Sequence, residues 1–152
     1  IGGMEQLQTL QLKLSHCKCL TSAAGFEALG GLKRLQDCSV DFKRSAMQDV
    51  SALGAGFGGM AQLWALQLSF EWCESLQRMA GFEALGGLRA LQRCDLDFTC
   101  SGIQDVKELG TGIGGMEQLR TLRLKFASCR SLKVAEGFQA LCNLKALQDC
   151  YL

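Results

Sequence analysis

Proline is missing from all 152 residues, and histidine and tyrosine occur only once each. The 18 glycines recur at fixed places between apolar residues, which is not the composition of a disordered linker. A single histidine, His16, leaves Ser-His-Asp and Cys-His hydrolase arrangements short of their usual base. It also leaves the run His16-Cys17-Lys18-Cys19 without the two well-spaced ligand pairs of a closed zinc site. No catalytic, cofactor-binding or metal-ligating residues are therefore expected. Charge of one sign is lacking too: 16 Lys and Arg stand against 15 Asp and Glu, interspersed along the chain. A nucleic-acid surface needs a dense basic face, so no nucleic-acid partner is expected. No run approaches the roughly eighteen apolar residues of a membrane span, and the start Ile1-Gly-Gly-Met lacks the charged beginning of a signal peptide. Membrane insertion is not expected.

What is present is a period of 28 residues. Stepping from Leu7 gives Leu35, Leu63, Leu91, Leu119 and Leu147 without insertion or deletion. Three positions on, the column alternates Leu10, Cys38, Leu66, Cys94, Leu122, Cys150. Leu12, Val40, Leu68, Leu96, Leu124 and Leu152 follow, and then Leu14, Phe42, Phe70, Phe98 and Phe126. This two-residue alternation predicts a strand with one buried face. A second segment, with Met47, Val50, Leu53, Phe57 and Met60 in one unit, has helical spacing. Paired glycines such as Gly30-Gly31 and Gly58-Gly59 lie just beyond it, where a helix ends in a left-handed residue that glycine adopts cheaply. The block Gly25-Phe-Glu-Ala-Leu-Gly-Gly31 returns as Gly81-Phe-Glu-Ala-Leu-Gly-Gly87, a super-period of 56.

One strand and one helical segment per unit predict parallel strands joined by right-handed crossovers. The pattern resembles the leucine-rich repeats over essentially the whole chain. Cys73-Glu-Ser-Leu76 and Ser101-Gly-Ile-Gln-Asp-Val106 look like the cysteine-containing subclass, and the 28-residue length and alternation resemble the ribonuclease-inhibitor subclass. The extra strand phenylalanines depart from both consensus patterns. The resemblance implies an α/β right-handed solenoid, a horseshoe with its sheet on the concave face and its helices on the convex face. Residues 1–152 are expected to form a single array of about five repeats. With no polar capping unit in the sequence, the array is expected to be part of a longer one, its ends covered by flanking repeats or neighbouring subunits.

Nine cysteines look like a disulfide framework until they are put in columns. Cys17, Cys73 and Cys129 alternate with Ser45 and Ser101, and Cys38, Cys94 and Cys150 alternate with leucine. Members of a column lie two rungs apart, about 9–10 Å, beyond the roughly 7 Å a disulfide tolerates. Free thiols imply a reducing, intracellular compartment, cytoplasmic or nuclear. The first column is the ladder position, where a small polar side chain bonds loop backbone; Ser45-x-x-Gln48 and Ser101-x-x-Gln104 also match a helix capping box. Gly54-Ala-Gly56-Phe-Gly58-Gly59 and Gly110-Thr-Gly112-Ile-Gly114-Gly115 contain G-x-G-x-x-G, but at the end of the helical segment, where a turn is expected and not a dinucleotide loop.

Partner contacts are expected on the outward strand positions. Lys13 should stand beside Asp41, Asp97 beside Lys125, and Asp95 beside Arg123. Trp72 and Arg44 share a column just after the strands and have the side chains favoured as interface anchors. Asp41, Asp95, Asp97, Arg123, Lys125, Trp72 and Arg44 are thus the candidate residues for a protein partner. A solvated, self-paired sheet face is the plainer account of the same charges. Reversal of Asp41 and Asp97 to lysine is expected to leave the fold intact but weaken partner binding. The function the resemblance implies is a non-catalytic protein-binding scaffold. A recognition arm of a larger enzyme or ligase, and a structural subunit of an assembly, are the alternatives.

Overall fold

The computed structural model describes residues 4–133 and 136–152. Six strands form one parallel sheet in chain order: β1 (Thr9–Lys13), β2 (Asp37–Asp41), β3 (Ala65–Ser69), β4 (Arg93–Asp97), β5 (Thr121–Lys125) and β6 (Asp149–Tyr151). Every pairing joins residues 28 apart, so Leu10 faces Cys38 and Leu66 faces Cys94, without a slip. The described rungs number six, one more than the five or so expected. Alternation along each strand sets Cys38 and Val40 inward while Ser39 and Asp41 stay partly open. The fold is an α/β solenoid.

The helical side differs from the expectation of one like helix per unit. Among the described residues only α1 (Ser51–Phe57) and α2 (Lys107–Gly114) are α-helical; they alternate with 3₁₀ segments at Phe26–Gly31, Phe82–Gly87 and Glu136–Asn143. The 56-residue super-period in the sequence is this alternation. Strands repeat about every 4.8 Å, whereas an α-helix with its side chains is about 10–12 Å across. Thinner 3₁₀ turns between α-helices relieve that mismatch, and glycine relieves the rest. A Cβ on Gly54 would lie 1.9 Å from the Gly81 carbonyl oxygen, and one on Gly56 would lie 2.4 Å from that of Phe26. Gly110 and Gly112 meet Gly137 and Phe82 in the same way. The G-x-G runs therefore lie inside the α-helices, not in the turns beyond them, and let backbone rest on backbone. The Gly-Gly pairs also turn out differently: Gly58 and Gly115 are right-handed, at φ −55° and −87°. The left-handed glycines are Gly25 and Gly81, each opening a 3₁₀ segment. Gly2-Gly3 lies outside the described residues.

Between sheet and helices, the extra strand aromatics form a stack. Phe42, Phe70, Phe98 and Phe126 lie 5.1–5.4 Å apart, centroid to centroid, and within 12° of parallel. Phe26, Phe82 and Phe138 from the 3₁₀ segments pack against it edge-on or tilted. Offset stacks and edge contacts are favourable aromatic geometries.

The ladder column works across rungs. The Cys73 thiol donates to the Phe42 carbonyl oxygen (3.2 Å) and the Cys129 thiol to that of Phe98 (2.9 Å). Ser45 and Ser101 lie 3.4 and 3.5 Å from the same sulfurs. The capping-box expectation fails, because α1 begins at Ser51, well past Ser45. Asp49 and Asp105 serve the helix starts instead, accepting hydrogen bonds from the Ser51 and Lys107 amides. Cys38 and Cys94 are fully buried. Burial, reinforced by the charge of Asp37 or Asp95, pushes their thiols up to about 12. Burial also raises Cys73, against the hydrogen bond from Ser45.

Two predictions follow from this packing. Gly54→Ala should lower stability by about 1–3 kcal/mol in urea unfolding, although in an isolated helix the change is worth up to about 1 kcal/mol in the opposite sense. A stabilised variant would show that the helices do not touch as described. In the native protein a thiol reagent should label exposed Cys17, Cys19, Cys142 and Cys150 rapidly, and Cys38, Cys73 and Cys94 only after unfolding. Fast labelling of Cys38 or Cys94, mapped by peptide mass, would contradict this core.

Candidate functional site

The outward strand columns and the turns that follow them make one continuous surface. Each of the first five strands runs into a tight turn whose third position has a positive φ in a residue other than glycine: His16 (63°), Arg44 (56°), Trp72 (60°), Cys100 (57°) and Ser128 (59°). A left-handed conformation costs a residue with a Cβ about 1–2 kcal/mol. Cross-rung hydrogen bonds hold it in place. The amides of His16, Arg44, Trp72 and Cys100 donate to the carbonyls of Lys43, Glu71, Thr99 and Ala127 on the next rung, at 2.7–2.9 Å. Asp41 and Asp97 add a second clamp, accepting from the amides of Lys43 (2.8 Å) and Thr99 (3.0 Å) two residues on. The sequence gives no warning of this strain, because none of the five residues is glycine or asparagine.

The rim formed by these turns brings Trp72 and Arg44 together. The Arg44 guanidinium lies over the indole at 5.6 Å from its centroid, and Trp72 stays 42% exposed. Two residues that sequence reasoning missed complete the cluster. Glu71 accepts from the Trp72 indole N–H at 3.1 Å and pairs with Lys43 at 2.6 Å. The signal was available: Lys43 and Glu71 occupy one column on adjacent rungs, with opposite charges. Guanidinium on one face and carboxylate at the ring nitrogen fix the indole with few rotamers left to lose on binding.

On the sheet, all three expected neighbours are in register, but only one pair closes. Lys125 Nζ lies 3.1 Å from Asp97 Oδ2. Burial tends to raise the Asp97 carboxyl, but the Thr99 amide and hydroxyl and the Lys125 ammonium outweigh it, leaving the group below its usual value. The same bond to Asp97 raises Lys125. Asp41 faces Lys13 in register, yet its oxygens are taken by the Ser15 hydroxyl (2.7 Å) and the Lys43 amide, so the expected Lys13–Asp41 pair does not form. Asp95 faces Arg123, whose guanidinium instead lies over the Tyr151 ring at 4.8 Å. Asp41 and Asp97 thus also hold their turns, so reversing them to lysine would remove these hydrogen bonds along with the charge. Trp64 is 43% exposed.

Ser128 is exposed and carries the strained backbone with little side-chain packing. Ser128→Gly should therefore raise stability by roughly 0.5–1 kcal/mol, the left-handed strain relieved less the extra chain entropy of glycine. A loss of stability in chemical denaturation would mean the turn is held in some other way.

No protein-family model matches the chain, and no curated protein matches it either. Among solved structures it is similar to internalin C2 of Listeria monocytogenes, at 18% identity and a TM-score of 0.38, over 83% of this chain. It spans 55% of that internalin's length. It is also similar to the leucine-rich repeat domain of the type III effector XopL, at 11% identity and a TM-score of 0.36, over 96% of this chain and 69% of that one. No helix among the described residues is long and apolar enough to cross a membrane. The chain's own register shows the fold: an unslipped 28-residue ladder of parallel strands joined by helical segments is an α/β solenoid.

Proposed function

We propose that the chain is a protein-binding scaffold with no catalytic role of its own. The observation that carries this reading is the fixed Lys43–Glu71–Trp72–Arg44 cluster on the rim, continuous with the outward charges of the sheet. A half-exposed indole already held in one orientation loses little entropy when a partner covers it, and Trp and Arg dominate interface energetics. Asp95, Arg123 and Lys125 extend the surface along the sheet, so one partner can touch several rungs at once. Asp41 and Asp97 contribute charge while holding their turns. Flanking repeats or neighbouring subunits are read as covering the edges at β1 and β6, where Leu10 and Leu12 are half-buried and Tyr151 is 52% exposed. The free thiols support the reading of a reducing compartment, cytoplasmic or nuclear. The cysteine-containing, ribonuclease-inhibitor-like subtype belongs to the same proposal.

The test compares capture of partners by three forms of the protein. Trp72→Ala with Arg123→Glu removes the anchor and reverses a sheet charge that makes no ion pair. Arg89→Glu changes the exposed helical side by the same two units of charge. Partners held by the native protein and by the helical-side variant should be lost from the first variant, with affinity weakened at least about 30-fold, as expected for hot-spot loss of about 2 kcal/mol. The opposite pattern would move the interface to the helices and overturn this reading.

A further inference from the structure

Trp72 has one face under Arg44 from the preceding rung; toward the following rungs lies a cavity of about 440 Å³. Its origin is a step in side-chain size. The left-handed column runs His16, Arg44, Trp72 and then falls to Cys100 and Ser128, leaving space where the larger residues would have continued. Its size lies within the ~300–1,000 Å³ of small-molecule sites. Glu74, Arg130 and Ser131 also line it.

These groups select a ligand chemistry. Glu74 only accepts hydrogen bonds when ionised, Arg130 only donates, and the serine hydroxyls do both. A cation would meet Arg130, an anion would meet Glu74, and an apolar group would make no hydrogen bond to either. A neutral polyol meets all of them, because each hydroxyl donates and accepts, while the C–H face of a sugar ring lies flat on an indole. We infer that the cavity between Trp72, Cys100, Ser128 and Arg130 binds a ring of a neutral saccharide. The ring stacks on the open face of Trp72, donates to Glu74 and accepts from Arg130. The site uses the open face of Trp72 that the protein-binding reading also engages, so a saccharide and a protein partner would compete for it, but neither inference rests on the other.

The test is a ¹H–¹⁵N NMR titration of the whole chain with glucose, mannose and N-acetylglucosamine in turn. At least one sugar should move the Trp72 indole signal and the Ser131 amide saturably at millimolar concentration. The indole of Trp64, exposed elsewhere, should stay still as an internal control. Cys100→Arg should fill the cavity without disturbing the turn, because the same column already holds arginine at position 44 with the same backbone. That variant should weaken binding at least about tenfold. Trp72→Ala, followed through the Ser131 amide, should do the same and serves if the arginine variant does not fold. No saturable shift with any of the three sugars, equal movement of both indoles, or binding that survives both variants would overturn the inference.

Discussion

The parallel ladder imposes one spacing on everything else. Strands about 4.8 Å apart must carry connecting segments on their other side that are inherently wider. The chain meets this demand chemically. It alternates α1 and α2 with 3₁₀ turns and places Gly54, Gly56, Gly110 and Gly112 where backbones meet. The glycines that look like a phosphate loop are notches for neighbouring carbonyls. Their lower helix propensity, roughly 1 kcal/mol each against alanine, is offset by a contact that no other residue permits.

The same ladder governs the strand-exit turns. Hydrogen bonds between rungs continue past the first four strands and hold four of the five side-chain-bearing residues at positive φ. An Asp clamp at Asp41 and Asp97 and the Ser/Cys column beneath add to the restraint. The outcome is a rim in which side-chain identity varies from rung to rung while the backbone does not. Arg44, Trp72 and Cys100 differ in size and charge but stand on equivalent backbone, and that arrangement makes both the aromatic cluster and the cavity beside it. Exposed ion pairs contribute about 0–1 kcal/mol each, so Lys43–Glu71 and Lys125–Asp97 matter more for where they hold charge than for stability.

Periodicity made the fold legible. Leu35, Leu63 and Leu91 mark the register, and in a repeat without insertions the register decides which residues touch. The neighbours Asp97 and Lys125 could be named for that reason, as could the shared column of Trp72 and Arg44. Competition for hydrogen bonds could not be read in this way. Asp41 has Lys13 opposite it, but the nearer Ser15 hydroxyl and Lys43 amide take its oxygens. Arg123 has Asp95 opposite it and lies on Tyr151. Register fixes which residues are adjacent, and local geometry fixes which of them bond.

By itself the sequence determined the period, the strand positions, the inward and outward columns and the cysteine spacing that keeps the thiols apart. Each of these follows from side-chain hydrophobicity and the repeat distance alone. Tertiary structure decided the alternation of α and 3₁₀ segments, the placement of glycine within helices and the left-handed rim. Those depend on how close one rung's backbone comes to the next, a distance between residues far apart in the chain. Local propensity at Trp72 or Gly54 carries no record of it.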